Sequence, residues 1–95
     1  MVITRPEKNL FVSDAGFSVE VLGRTGMLYR EGERVMKVGS EAGPPGMGMS
    51  IWATTIKAWR PPFDTEPISA EKREEIIRNI GEAIAFTQQP FTVMR

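Results

Sequence analysis

Only one stretch of this chain carries the period of an amphipathic helix, and it falls late, at residues 70–87. Ile76, Ile77, Ile80, Ala83, Ile84 and Phe86 make an apolar stripe at helical spacing, with Lys72, Glu75, Arg78, Asn79 and Glu82 opposite. Ser69 stands where an N-cap belongs, and Glu71, Glu74 and Glu75 suit the positive end of the helix dipole. Glu74 and Arg78, four apart, are spaced for a weak ion pair. Gly81 lies mid-helix, where it costs roughly 1 kcal/mol relative to Ala and permits close approach to a sheet. Pro90 bars continuation and leaves residues 91–94 as a short closing strand. A single helix can cover one face of one sheet, so the rest of the chain must supply that sheet.

The strands are read from a period of two. Phe17, Val19 and Val21 alternate with Ser18, Glu20 and Leu22. After the turn "GRTG", residues 27–30 and 34–38 form two apolar-rich runs joined by "EGE", where Gly32 can take the positive φ of a tight hairpin. "GSEAGPPGMGM" cannot form a regular ladder. Residues 51–59 follow as a β-branched and aromatic strand with apolar groups on both faces, which suits a central position. Pro61 and Pro62 end it, since neither has a ladder donor. Residues 1–16 show no clear period and read as irregular, because "RPEKN" interrupts the one short candidate strand. The expectation is a single α+β domain over residues 1–95, with a β-rich part at 17–59. Its antiparallel sheet would hold about five strands: the meander, a longer strand and the C-terminal strand. The helix would pack on one face.

Composition narrows the chemistry. With no cysteine and no histidine, the chain has no thiolate nucleophile, disulfide, histidine base or ordinary structural zinc site. No catalytic residue, metal site or cofactor is expected. Twelve basic and twelve acidic side chains cancel, and the part up to Phe63 differs from the remainder only as +2 from −2. That is too small a field to draw in nucleic acid. No apolar run approaches the roughly 20 residues needed to cross a bilayer, and "MVITRPEKNL" lacks a signal-peptide core. No membrane association is expected. The cytoplasm is the expected compartment, which zero cysteines suit without requiring it.

The glycine- and proline-rich loop is not a phosphate cradle. Pro44 and Pro45 remove two backbone donors, no lysine follows until Lys57, and the loop enters a strand rather than a helix. Its glycines answer to conformation, and Met47 and Met49 can mould to a partner. Trp52 and Trp59 would face opposite ways on an ideal strand, so at least one belongs in the core. The other is a candidate anchor for a second molecule, although both can pack within the monomer. Tyr29, Arg30 and Arg34 cluster at the hairpin as a possible recognition tip; the plainer alternative is a tip kept polar for solubility. The acidic pairs Glu31/Glu33 and Asp64/Glu66 lack the apolar setting that would raise a carboxylate pKa.

Three segments then follow one another at close spacing: "MLYREGERVMKVGSE" (27–41), "IKAWRPPFDTEPIS" (56–69) and "EKREEIIRNIGEAIAF" (71–86). A hairpin reading aromatic-x-Glu-Gly precedes Ser-Glu, and Trp-x-Pro-Pro leads into the amphipathic helix. Over residues 26–90 the chain resembles the small bacterial immunity proteins of polymorphic toxin systems, of the kind called immunity protein 74. The resemblance implies a non-enzymatic protein that binds and neutralises a cognate toxin. Its contacts would come from Tyr29, Arg30, Arg34, Trp52 and Trp59, with Met47 and Met49 in the adaptable loop. The alternative is a structural or assembly subunit that self-associates, for instance as a homodimer through a sheet edge. Arg34, Lys37 and Lys57 argue mildly against it as edge guards.

Overall fold

Alternating burial organises most of the chain. The computed structural model describes residues 1–44 and 46–95; Pro45 of the glycine- and proline-rich loop lies outside the described residues. Strands β1 (Ile3–Glu7), β2 (Leu10–Ser13), β3 (Phe17–Val21), β4 (Met27–Glu31) and β5 (Arg34–Val38) form one antiparallel sheet in sequence order. Phe11, Val19, Tyr29 and Met36 stand opposite one another across β2 to β5, and all four are buried. Val21, Met27 and Val38 make a second row on the same face. Helix α1 (Ala70–Ala85) packs Ile76, Ile77, Ile80, Ala83 and Ile84 into this core. Burying each such isoleucine contributes about 1.5–3 kcal/mol.

The α1 boundaries follow local chemistry. Ser69 Oγ accepts from the Lys72 amide at 3.0 Å, the N-cap that the sequence implies. At the other end Thr87 Oγ1 donates to the Ile84 carbonyl, and Gln88 takes φ 60°, so the helix stops at Ala85. Glu74 is not paired with Arg78. It accepts both arms of the Arg95 fork at 2.9 Å, tying the helix to the chain end.

A second, three-stranded sheet runs β6 (Ser40–Ala42), β7 (Met49–Trp52) and β8 (Phe91–Met94) in that order. β6 and β7 are antiparallel, whereas β7 and β8 are parallel. Ser40, Ile51 and Val93 form its inward row. Gly81 lets Phe91 lie against α1: a Cβ there would stand 3.2 Å from the Phe91 ring.

Five antiparallel strands and one covering helix are present as expected, with different members. Residues 1–16, read as irregular, supply β1 and β2. β1 is an edge strand whose side chains are exposed except for Ile3, so no alternation marks it. Pro6 is tolerated there because an edge needs no donor on its outer side. Within "RPEKN", Lys8 and Asn9 make the turn to β2, and Arg5 Nε donates to the Lys8 carbonyl at 2.8 Å across it. The closing strand joins the smaller sheet instead of the main one. The strand expected over 51–59 starts at Met49 and stops at Trp52. Thr55 Oγ1 donates to the Trp52 carbonyl at 2.6 Å and accepts from the Gly39 amide at 2.9 Å. That side chain competes with the ladder and turns residues 53–55 into a 3₁₀ turn. β7 is nevertheless central in its sheet, as apolar groups on both faces required.

Candidate partner-binding face

At the β4–β5 hairpin, alternation sends Tyr29 inward and Arg30 outward. Tyr29 is fully buried, stacked between Phe17 at 5.9 Å and Trp59 at 6.3 Å. Its hydroxyl donates to Glu31 Oε2 at 2.6 Å and accepts from Asn79 Nδ2 at 2.8 Å. Burial, reinforced by Glu31, pushes the phenol far above its usual ionisation range. Glu31 Oε1 accepts from Lys72 at 2.7 Å. Partial burial pulls the Lys72 ammonium down, but Glu31 and Glu75 outweigh it and leave its pKa raised.

Arg34 forks onto Glu66 with two 2.8 Å bonds and lies 4.4 Å over the Phe63 ring. Each partner stabilises the other's charge: the bond raises Arg34 and lowers Glu66. Arg30 pairs with Glu20 at 2.9 Å. The Arg60 amide donates to the Val35 carbonyl at 2.7 Å, which lays the following segment along the outer edge of β5.

These contacts bring together the three segments that carry the family resemblance, and they do so as structure. Tyr29 and Trp59, expected among the partner contacts, are core residues: Tyr29 is enclosed between two rings, and Trp59 is buried behind it. Arg30 and Arg34 are half-buried and already hold carboxylates.

The smaller sheet is different. Met47 is 69% exposed, Trp52 37% and Met94 46%. Trp52 and Met94 are register partners on adjacent strands, so their side chains share the outer face of the sheet. Glu41, Ser50 and Thr92 make the next row of that face. Met47 sits in the loop joining β6 to β7, while Met49 is half-buried and packs against the core.

Beside this face runs an open groove of about 740 Å³, walled by residues 39–44, Trp52, and Arg24 and Thr25 of a 3₁₀ turn. Among the described residues neither Arg24 nor Glu41 forms an ion pair, in contrast to Arg30, Arg34, Lys72 and Arg95. Ser40 Oγ is buried without a hydrogen-bond partner among the described residues. Of the seven sequence candidates, Trp52 lies on this face, while Met47 is exposed in the loop at the other end of β7. The face adds Met94, which sequence reasoning missed because the parallel β7–β8 pairing joins distant segments, and Glu41 on β6; Arg24 walls the groove beside it. Among the described residues no cluster of three or more carboxylates is placed to hold a metal, and no helix is long and apolar enough to cross a membrane.

A family model described as Immunity protein 74 matches residues 18–93. The match runs from β3 into β8 and takes in α1, while β1 and β2 precede it. No curated protein and no solved structure matches the chain.

Proposed function

The chain belongs to the immunity protein 74 family, and from that premise we propose that it is a non-enzymatic inhibitor that binds a cognate toxin domain in the cytoplasm and blocks it. The family match carries this reading. The composition agrees with it, since a chain without imidazole or thiol is better equipped to fit against a partner than to transform a substrate.

The contact surface is the outer face of the β6–β8 sheet. Trp52 and Met94 form an exposed apolar pair of the kind that anchors interfaces, and Met47, exposed in the loop at the other end of β7, supplies a second, adaptable apolar contact. A specific complex of ordinary size would cover about 800 Å² on each partner, enough to include this face and the groove beside it. Arg30 and Arg34 contribute only by giving up Glu20 and Glu66.

Co-expression with a candidate toxin domain from the neighbouring reading frame tests the reading. The expected outcome is restored growth and a one-to-one complex on size-exclusion chromatography with light scattering. Persistent toxicity alongside soluble, folded chain and no complex would remove it.

A further inference from the structure

We propose that the outer edge of β8 is where the partner docks, laying an extended segment along it as a fourth strand of the smaller sheet. This rests on the inhibitory reading above and specifies how the partner is held.

The two sheets end in β1 and β5, and in β6 and β8. Three of these edges are guarded. β1 carries Pro6 and charged side chains, and β5 accepts the Arg60 amide. The 3₁₀ turn Gly23–Thr25 lies alongside β6, too close to admit another strand. β8 is different. Among the described residues its close neighbours are β7 and α1. Phe91, Val93 and Arg95 share a parity; Phe91 and Val93 pack on the core, Phe91 against Gly81, and Arg95 holds Glu74. Side chains stand perpendicular to a sheet. Helix α1 therefore runs over the inner face of β8 and leaves its edge free.

The backbone fixes what that edge offers. Met49 stands opposite Phe91, and Met49 N donates to Pro90 O at 3.0 Å. In a parallel ladder each residue bonds to the two that flank its opposite number. Pro90, Thr92 and Met94 thus turn their backbone groups to β7, while Phe91 and Val93 turn theirs outward. Among the described residues no hydrogen bond ends on those outward groups.

The occupant follows from this geometry. Donors and acceptors repeating every second residue match an extended polypeptide. On one side its side chains would lie beside Thr92 and Met94, continuing the surface that Trp52 begins. On the other they would meet the exposed flank of α1, where Arg78 forms no ion pair among the described residues and favours a carboxylate. A second copy of this chain fits poorly. Joining two β8 edges about a two-fold axis would bring the two α1 helices to roughly the 4.8 Å spacing of paired strands, inside the 8–10 Å that packed helices need.

Amide hydrogen exchange on the labelled chain, free and mixed with the candidate toxin domain from the neighbouring reading frame, tests this. Protection of the Phe91 and Val93 amides in the complex is expected, with Thr92 and Met94, already bonded to β7, little changed. Val93→Pro removes an outward donor without touching the β7–β8 ladder. Val93→Ala, which gives up similar packing but keeps the donor, is its reference. Of the two, Val93→Pro should bind about 10-fold more weakly. If it does not fold, exchange in the unmodified chain decides.

A complex in which both amides exchange as in the free chain overturns strand addition and leaves the inhibitory reading standing. Equal affinities of the two folded variants would do the same. Concentration-dependent protection in the chain alone would assign the edge to a second copy and also overturn it. No complex at all would overturn both.

Discussion

Tyr29 is the residue on which most of the β4–β5 hairpin's interactions converge. Removing its hydroxyl deprives Glu31 of a donor and Asn79 of an acceptor in a half-buried setting. Tyr29→Phe should lower stability by about 1–2 kcal/mol, read as a shift in the urea midpoint at unchanged slope. The same burial predicts a pH dependence. The unfolded phenol ionises near pH 10, whereas the folded one is held protonated well above that. Above about pH 10 the unfolded chain loses a proton that the folded chain keeps. The Tyr29 contribution is therefore fully present below pH 10 and is lost as pH rises towards the folded value. Because the chain has a single tyrosine, tyrosinate absorbance should appear together with loss of circular dichroism. A titration near pH 10 in a chain that stays folded would contradict this. The sequence held the signal for Tyr29's true place. Met27 and Tyr29 share a parity in β4, as Met36 and Val38 do in β5, and only the polar company of Arg30 and Arg34 made it look like a tip residue.

Elements were legible where burial repeats along the chain. β3, β4, β5 and α1 each show one face to the core, so a period of two or 3.6 marks them. β1 turns a single side chain inward, and β8 pairs with a strand far away in sequence, so neither its sheet nor its direction had a local signal. That remote pairing hinges on Gly48. It takes φ +84°, Met49 N donates to Pro90 O at 3.0 Å, and a Cβ on Gly48 would collide with the same Pro90 carbonyl. Gly32, in the β4–β5 turn, has φ +59° with open space around it. Gly32→Ala should therefore cost only the left-handed penalty of about 1–2 kcal/mol. Gly48→Ala should cost clearly more, because either β8 moves or the loop does. Equal urea midpoints for the two variants would show that the β7–β8 junction is not tightly fitted.

At the scale of the whole molecule, the proposed function assigns the two tryptophans different work, Trp59 folding and Trp52 recognition. Trp59 is packed on Tyr29 inside the core, and its truncation to Ala should cost about 3–5 kcal/mol. Against a typical total of about 5–15 kcal/mol for a native protein, such a variant would lose much of its folded population. Its failure to protect cells would then report folding, not contact. Trp52 lies beside Met94 on the outer face of the smaller sheet and keeps over a third of its surface. Trp52→Ala should melt close to the parent chain yet bind the toxin domain at least about 30-fold more weakly, the effect of an anchor contributing 2 kcal/mol or more. Thermal melts and isothermal titration on the same preparations separate the two effects. Parent-like affinity in Trp52→Ala would move the interface elsewhere. The paired arginines Arg30 and Arg34 would then be next in line, since reaching them requires a partner that replaces Glu20 and Glu66 with carboxylates of its own.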